Sequence, residues 1–174
     1  MKTELKRGEI SAKGRSFAVV VSRWNDEYTS RLAAGAVEAL KEAGADDDAV
    51  DTFYVPGAFE LPIAALTAAE SGQYDAVIAL GVIIRGDTPH FDFVASEAAR
   101  GLMQASMKTG VAVMFGVITA DNLEQVIARC GEKAENKGYE AAMSAIETAN
   151  ALNEIRIRSE ARWEVRKESL LNVV

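Results

Sequence analysis

A chain of 174 residues with 49% hydrophobic content is long and apolar enough to bury one sizeable core. Its net charge of −7 argues against a nucleic-acid surface, because neutralising a phosphate backbone needs clustered Lys and Arg; small molecules or other proteins are the expected partners. A single cysteine, Cys130, cannot form an internal disulfide, and one Cys with one His, His90, cannot build a closed zinc site without carboxylates supplying most of the ligands.

In chain order, "MKTELKRGEI" has no apolar stretch of the kind a signal peptide carries, and the longest apolar run, "AVIALGVII", is too short to span a bilayer. A cytoplasmic protein with no membrane partner is expected. "RGEISA" has weak strand character and suits the edge of this sheet or of a neighbour's. "SFAVVVS" reads as a strand, and "YTSRLAAGAVEALKEAGA" as a helix with Leu32, Ala36, Val37 and Leu40 on one face. "VDTFYV" is the next strand, followed by the short helix "FELPIAALTAAESG". "YDAVIALGVII" then leads to a helix from Pro89 to about Lys108, whose apolar face is Phe91, Val94, Ala95, Ala98 and Leu102. "VAVMFGVIT" is the last strand. Two helices follow: "NLEQVIARCG", with the stripe Leu123, Val126, Ile127 and Cys130, and "GYEAAMSAIETANALNEI", with Ala142, Ala145, Ile146, Ala149 and Leu152. Cys130 in that stripe is a small buried hydrophobe.

Strands alternating with helices predict a parallel sheet, and strands this apolar are buried on both faces. The expected architecture is a three-layer α/β/α sandwich over residues 1–155, with residues 156–174 as a C-terminal extension. That extension carries Arg156, Arg158, Arg162, Arg166 and Lys167 against Glu160, Glu164 and Glu168. Trp163, Leu170 and Val174 would form a thin apolar stripe if it were helical; a frayed end is the competing expectation.

In open parallel sheets ligands bind beyond the carboxyl ends of the strands. There the chain places Trp24 and Asn25, then "VPGAFELP", then "RGDTPHF". Aromatic surface, amide, carboxylate and imidazole on one rim suit a planar, polar ligand. In "GVIIRGDTPHFDFV", Gly86 is expected to free a sharp turn, Thr88 to cap the helix and Pro89 to occupy its first position. The backbone amides of Gly86, Asp87 and Thr88 would then cradle a phosphate, although the Asp87 carboxylate opposes an anion unless it points away. An ordinary capped connection is the alternative. His90, on the first turn, has a side-chain type that exchanges protons near neutral pH. With no GxGxxG, GxxxxGK[ST] or GxSxG present, cofactor-free acid–base chemistry is the reading that remains.

Residues 81–94, together with "PGAFELP" and "GEKAENKG", resemble the 6,7-dimethyl-8-ribityllumazine synthase family from about Gly8 to Ile155. The resemblance implies a flavodoxin-like sheet, pentamers that often build icosahedral 60-subunit shells, and no cofactor or metal. It also implies condensation of 5-amino-6-(D-ribitylamino)uracil with 3,4-dihydroxy-2-butanone 4-phosphate. Position by position, Trp24 would stack on the pyrimidine, and Asn25 and Glu60, with the backbone at Ala58 and Phe59, would bind the ribityl chain. The backbone at Ile83 and Ile84 would meet the ring edge. Gly86, Asp87, Thr88 and Arg129 would hold phosphate, and His90 would relay protons. Arg129, Phe115 and Lys137 would come from the adjacent subunit.

The chain departs from the family where many relatives have phenylalanine in place of Trp24 and a small residue in place of Asp87. Trp24 is either a tolerated aromatic exchange or a ring able to stack on riboflavin as well. Asp87 would weaken phosphate binding electrostatically. The short spacing of "GEKAENKG" favours the shell over the free pentamer. Three other readings stand beside this one: an archaeal-type riboflavin synthase, disfavoured by Arg129 and the Gly-Asp-Thr turn; a flavin-binding scaffold without turnover; and a flavodoxin-like electron carrier, disfavoured because "SRWNDEYTS" is no phosphate loop.

Overall fold

The computed structural model describes residues 9–171. Its sheet consists of β1 (Phe17–Ser22), β2 (Val50–Val55), β3 (Ala76–Ile84) and β4 (Ala112–Ala120), all parallel in the order β2-β1-β3-β4. Phe17 stands opposite Val50 on one side and Ala76 on the other, and Ala76 opposite Ala112.

The period-two alternation of a strand sorts side chains onto two faces. Phe17, Val19 and Val21 of β1 join Ile78 and Leu80 of β3 on one face. They pack there against α1 (Asp26–Glu42) and α5 (Lys137–Leu171). Ala18 and Val20 join Val77 and Ala79 on the other, against α2 (Leu61–Glu70) and α3 (His90–Thr109). This is the three-layer α/β/α sandwich expected from the alternation. Every residue of β1 is buried, and at roughly 1.5–3 kcal/mol per fully buried large aliphatic side chain the two central strands anchor the fold.

α1 and α5 approach closely through Ala33 and Ala36 on one side and Ala141, Ala142 and Ala145 on the other. At the start of α5 a Cβ on Gly138 would lie 1.9 Å from the Leu32 carbonyl oxygen, so only glycine fits there.

Four features differ from the sequence pattern. β2 is the edge strand, and Asp51 to Tyr54 are exposed, because burial on both faces needs a neighbour and helices reaching over it. The short α4 (Leu123–Ile127) buries Val126, and Cys130 beyond it is buried too, but Leu123 and Ile127 stay 42% and 49% exposed. One turn and a half cannot turn all four onto the core. Of the "RGEISA" segment, residues 9–12 pair with no strand of this chain's own sheet. Asn150 Nδ2 donates instead to the carbonyls of Glu9 (2.7 Å) and Ser11 (2.8 Å), and Ala12 N–H donates to Ala43 O (2.9 Å). Arg7 and Gly8 lie outside the described residues. Finally, α5 passes Ile155 without interruption and continues to Leu171, so the extension is helical over that span. Trp163 is exposed on it, and the Leu170 side chain and Val174 of the expected stripe lie outside the described residues.

The end of the sheet opposite the site is closed by polar contacts. Arg15 Nη1 meets Asp75 at 2.7 Å, and the other carboxylate oxygen of Asp75 accepts the Ser16 N–H at 2.9 Å.

Candidate active site

At the carboxyl end of the sheet the chain leaving β1 is tied down on both sides. Arg23 N–H donates to Val55 O (2.9 Å) and Trp24 N–H to Pro56 O (3.1 Å), next to β2. Asn25 adopts the left-handed conformation (φ 61, ψ 42), which asparagine tolerates, and its Nδ2 donates to Val82 O of β3 at 2.9 Å. The Trp24 ring is 63% exposed and lies over Gly57. A Cβ on Gly57 would approach ring atom Cε3 to 2.7 Å, so this glycine is required by the indole rather than by its own extended backbone (φ −140).

A cavity of about 230 Å³ opens beside the indole. Trp24, Asn25, Ala58, Ile83, Ile84, Gly86, Thr88 and His90 line it, with Val82, Phe91 and Val94 as apolar wall. Three strand ends thus bring eight of the expected site residues to one small, mostly apolar space carrying an imidazole. Asp87 is exposed and is not part of that lining.

The connection into α3 differs in detail from the expected cap. Pro89 precedes the helix in a helical conformation (φ −64, ψ −1), its carbonyl accepts from Asp92 N–H at 3.0 Å, and no side chain caps the helix. Gly86 is not left-handed, and a Cβ there would meet nothing within 4 Å. Its value is therefore open space beside the cavity rather than a forced turn. The first amides of α3 remain without intrahelical partners, as at any helix start, and carry the positive end of its dipole.

Arg85, which no sequence signal singled out, joins this turn to its surroundings. Its Nη1 and Nη2 meet the Asp92 carboxylate at 3.2 and 3.0 Å, and its Nε donates to Asp121 at 2.9 Å. The guanidinium carbon lies 4.1 Å from the centre of the Phe91 ring. Asp92 first and then Asp121 hold this guanidinium charged even more firmly than an ordinary arginine.

The remaining expected residues are elsewhere. Glu60 turns one carboxylate oxygen back to the Gly57 N–H (2.8 Å) and borders a separate apolar groove of about 580 Å³ between β2 and α2. Phe59 is 58% exposed and Phe115, on β4, 46% exposed. Arg129 donates to Gln125 O at 2.9 Å, and Lys137 pairs with Glu140. Phe115, Arg129 and Lys137 do not line the cavity at Trp24.

The backbones of Arg129 and Lys137 are, however, tied to each other. Lys137 N–H donates to Arg129 O at 2.9 Å. Between them, buried Asn136 makes four side-chain bonds, donating to Arg31 O and Gly131 O (both 3.0 Å) and accepting from Gly138 N (2.8 Å) and Tyr139 N (3.1 Å). Lys133 meets Glu42 at 2.7 Å, and Glu42 also accepts from the Tyr139 hydroxyl at 2.8 Å. The Lys133 bond, followed by that of Tyr139, holds the Glu42 carboxyl below its usual range. Burial pushes the Cys130 thiol up, which makes it a packing group and not a nucleophile. Among the described residues no cluster of His, Cys, Asp and Glu could hold a metal ion, and no helix is long and apolar enough to cross a membrane.

Residues 14–153 match the family model described as 6,7-dimethyl-8-ribityllumazine synthase. A 6,7-dimethyl-8-ribityllumazine synthase of Chlorobium phaeobacteroides is 56% identical over 143 residues, which cover 82% of this chain and 92% of that relative.

Proposed function

Because the chain belongs to the 6,7-dimethyl-8-ribityllumazine synthase family, we propose that the cavity between Trp24 and His90 is its active site. The enzyme is a transferase of riboflavin biosynthesis. It condenses 5-amino-6-(D-ribitylamino)uracil with 3,4-dihydroxy-2-butanone 4-phosphate, yielding 6,7-dimethyl-8-ribityllumazine, phosphate and water.

In this reading the Trp24 indole stacks on the pyrimidine, and the backbone at Ile83 and Ile84 meets the polar edge of the ring. Asn25, Glu60 and the main chain at Ala58 and Phe59 bind the ribityl hydroxyls. Glu60 keeps its second oxygen for that work while the first holds Gly57. The amides of Gly86, Asp87 and Thr88 receive the phosphate at the positive end of α3. The pyrimidine 5-amino group attacks the ketone and a first water leaves as the imine forms. Phosphate is then eliminated to an enol that becomes a carbonyl, which the ribitylamino nitrogen attacks to close the ring as a second water leaves. His90 carries protons between these steps without a cofactor. Holding both substrates in one small space converts a bimolecular encounter into a unimolecular one, a large share of the acceleration.

The observation that carries the proposal is the division of the expected residues. Trp24, Thr88 and His90 share one cavity, while Phe115, Arg129 and Lys137 stand outside it. A second copy of the chain would supply those three, which makes the active unit a homo-oligomer. We assign a pentamer, assembled into an icosahedral 60-subunit shell, on the short spacing of "GEKAENKG". The catalytic domain is residues 1–155, residues 156–174 are an extension, and the enzyme works in the cytoplasm.

Mixing the protein with both substrates is expected to yield lumazine fluorescence and one inorganic phosphate per lumazine. Riboflavin binding without either product would favour the non-catalytic scaffold. Mass measurement of the native particle separates five subunits from sixty.

A further inference from the structure

We propose that Arg85 is a positioning residue for the phosphate end of the site, acting as a clamp on the turn 86–89 and as a neutraliser of the two carboxylates beside it. The inference rests on the reading of the cavity as the lumazine-forming site.

Arg85 follows the last residue of β3 and precedes the proposed phosphate amides. Its own N–H donates to Ala120 O at 2.9 Å, which extends the β3–β4 ladder by one step. Its side chain grips the first turn of α3 through both oxygens of Asp92 and the residue after β4 through Asp121. The guanidinium also covers Phe91, a wall of the cavity. One side chain therefore links three elements around a turn for which no side chain provides a cap. A two-pronged pair with a planar guanidinium fixes direction as well as distance, which a lysine ammonium does not.

The charge balance points the same way. Arg85 is too fully engaged by Asp92 and Asp121 to serve as the phosphate's own cation, and those two carboxylates would otherwise raise the negative potential at the mouth of the turn. Asp87 already adds one exposed negative charge there. With Arg85 removed, three carboxylates would face an incoming dianion, two of them newly unpaired, and the turn would lose its tie to β4. The pyrimidine end, built by Trp24 and Asn25 on β1 and by the β3 backbone, would keep its geometry.

The test is steady-state kinetics on Arg85→Gln and Arg85→Lys with each substrate varied in turn, beside the wild type. Arg85→Gln is expected to raise KM for the butanone phosphate about tenfold or more while KM for the pyrimidine moves less than twofold. Arg85→Lys should recover part of the loss, because it restores charge but not the fork. Asp92→Asn supplies a gentler variant should Arg85→Gln fold poorly; it breaks one prong, removes one carboxylate, and should raise the phosphate-substrate KM less than Arg85→Gln does. Inorganic phosphate, as a competitive inhibitor, should weaken in parallel with that KM. Equal losses for both substrates, or unchanged constants in an active Arg85→Gln, would overturn the clamp and leave the site reading intact. A wild type that forms no lumazine would overturn the site reading and this inference with it.

Discussion

The rim that holds Trp24 and His90 and the loop that holds Arg129 and Lys137 are built by opposite means. The rim is a place where strand ends stop: Trp24, Asn25 and residues 86–90 are exposed, its turn is uncapped, and it encloses a cavity. The loop is a place where polar groups are used up. Asn136 is buried with all four of its side-chain hydrogen-bonding positions occupied, and Gly138 presses against the α1 backbone. A buried amide so fully satisfied specifies one conformation, since losing any partner leaves a polar group unpaired at roughly 1–3 kcal/mol. The contrast teaches that the rim leaves room for a ligand, whereas the loop spends its polar groups on fixing its own backbone. Arg129 and Lys137 are not among the residues that line the cavity at the rim of their own chain.

The strongest way to break that comparison is to separate the halves genetically. Arg129→Ala should lower kcat/KM for the phosphate substrate by on the order of a hundredfold, as expected for losing a charged hydrogen-bonding partner of about 1.5–3 kcal/mol. His90→Gln should lower kcat by one to two powers of ten, near the lower end of the roughly 10²–10⁴ range for acid–base groups, because substrate positioning survives. Dissociating the two variants together and reassembling them at equal amounts should restore activity. A site drawing His90 from one chain and Arg129 from its neighbour is intact in about a quarter of cases when the chains mix at random in a closed ring. Activity of the mixture that never exceeds the average of the two variants would place both residues in one chain's site and contradict the division.

A smaller effect sharpens the comparison within the rim. Gly57 has an extended backbone that alanine adopts freely, so Gly57→Ala tests the side chains packed on it, the Trp24 indole first and then the Glu60 carboxylate 3.1 Å from the added Cβ. Its Cβ would fall 2.7 Å from Cε3 of Trp24, and the ring must shift. Aromatic stacking of about 0.5–1.5 kcal/mol translates into a rise of roughly two- to tenfold in the pyrimidine KM, with the butanone phosphate KM unchanged. Equal changes in both constants would show that the ring serves the whole pocket and not the pyrimidine alone.

These outcomes depend on residues of unequal visibility in the sequence. The two central strands were legible because burial on both faces leaves nothing but apolar side chains, and the rim followed because parallel strands all end on the same side. Gly57, Arg85 and Asn136 were not. Each sits inside a quoted motif, yet each does its work through partners 33 or more residues away in sequence: Gly57 under Trp24, Arg85 against Asp121, Asn136 against Arg31. Local pattern carries no record of such pairings. The Thr88 cap failed for a related reason. A proline held near ψ −1 starts the helical path by itself, so the hydroxyl before it has no cap to make. Phe115, Arg129 and Lys137 were reached through family resemblance alone, and their own surroundings give no hint of a ligand.

The least consequence is expected from the far end of α5, which resembles neither region. Beyond Ile155 the helix exposes Ile157 and Trp163, and Arg158 pairs with Glu154 one turn back on the same helix. Arg156 touches the body, where its guanidinium donates to Gly110 O at the end of α3. Pairs of the Arg158–Glu154 kind stabilise a helix by a few tenths of a kcal/mol and nothing else in the subunit. Ending the chain after Arg158 keeps the Arg156 contact, so stability should change by no more than about 0.5 kcal/mol and the melting temperature by less than about 2 °C. Lumazine formation should stay at the full-length rate. A fall of five degrees or more, or a change in particle mass, would mean that the exposed Trp163 face packs against another subunit and that the chain presents a second surface besides the Arg129 loop.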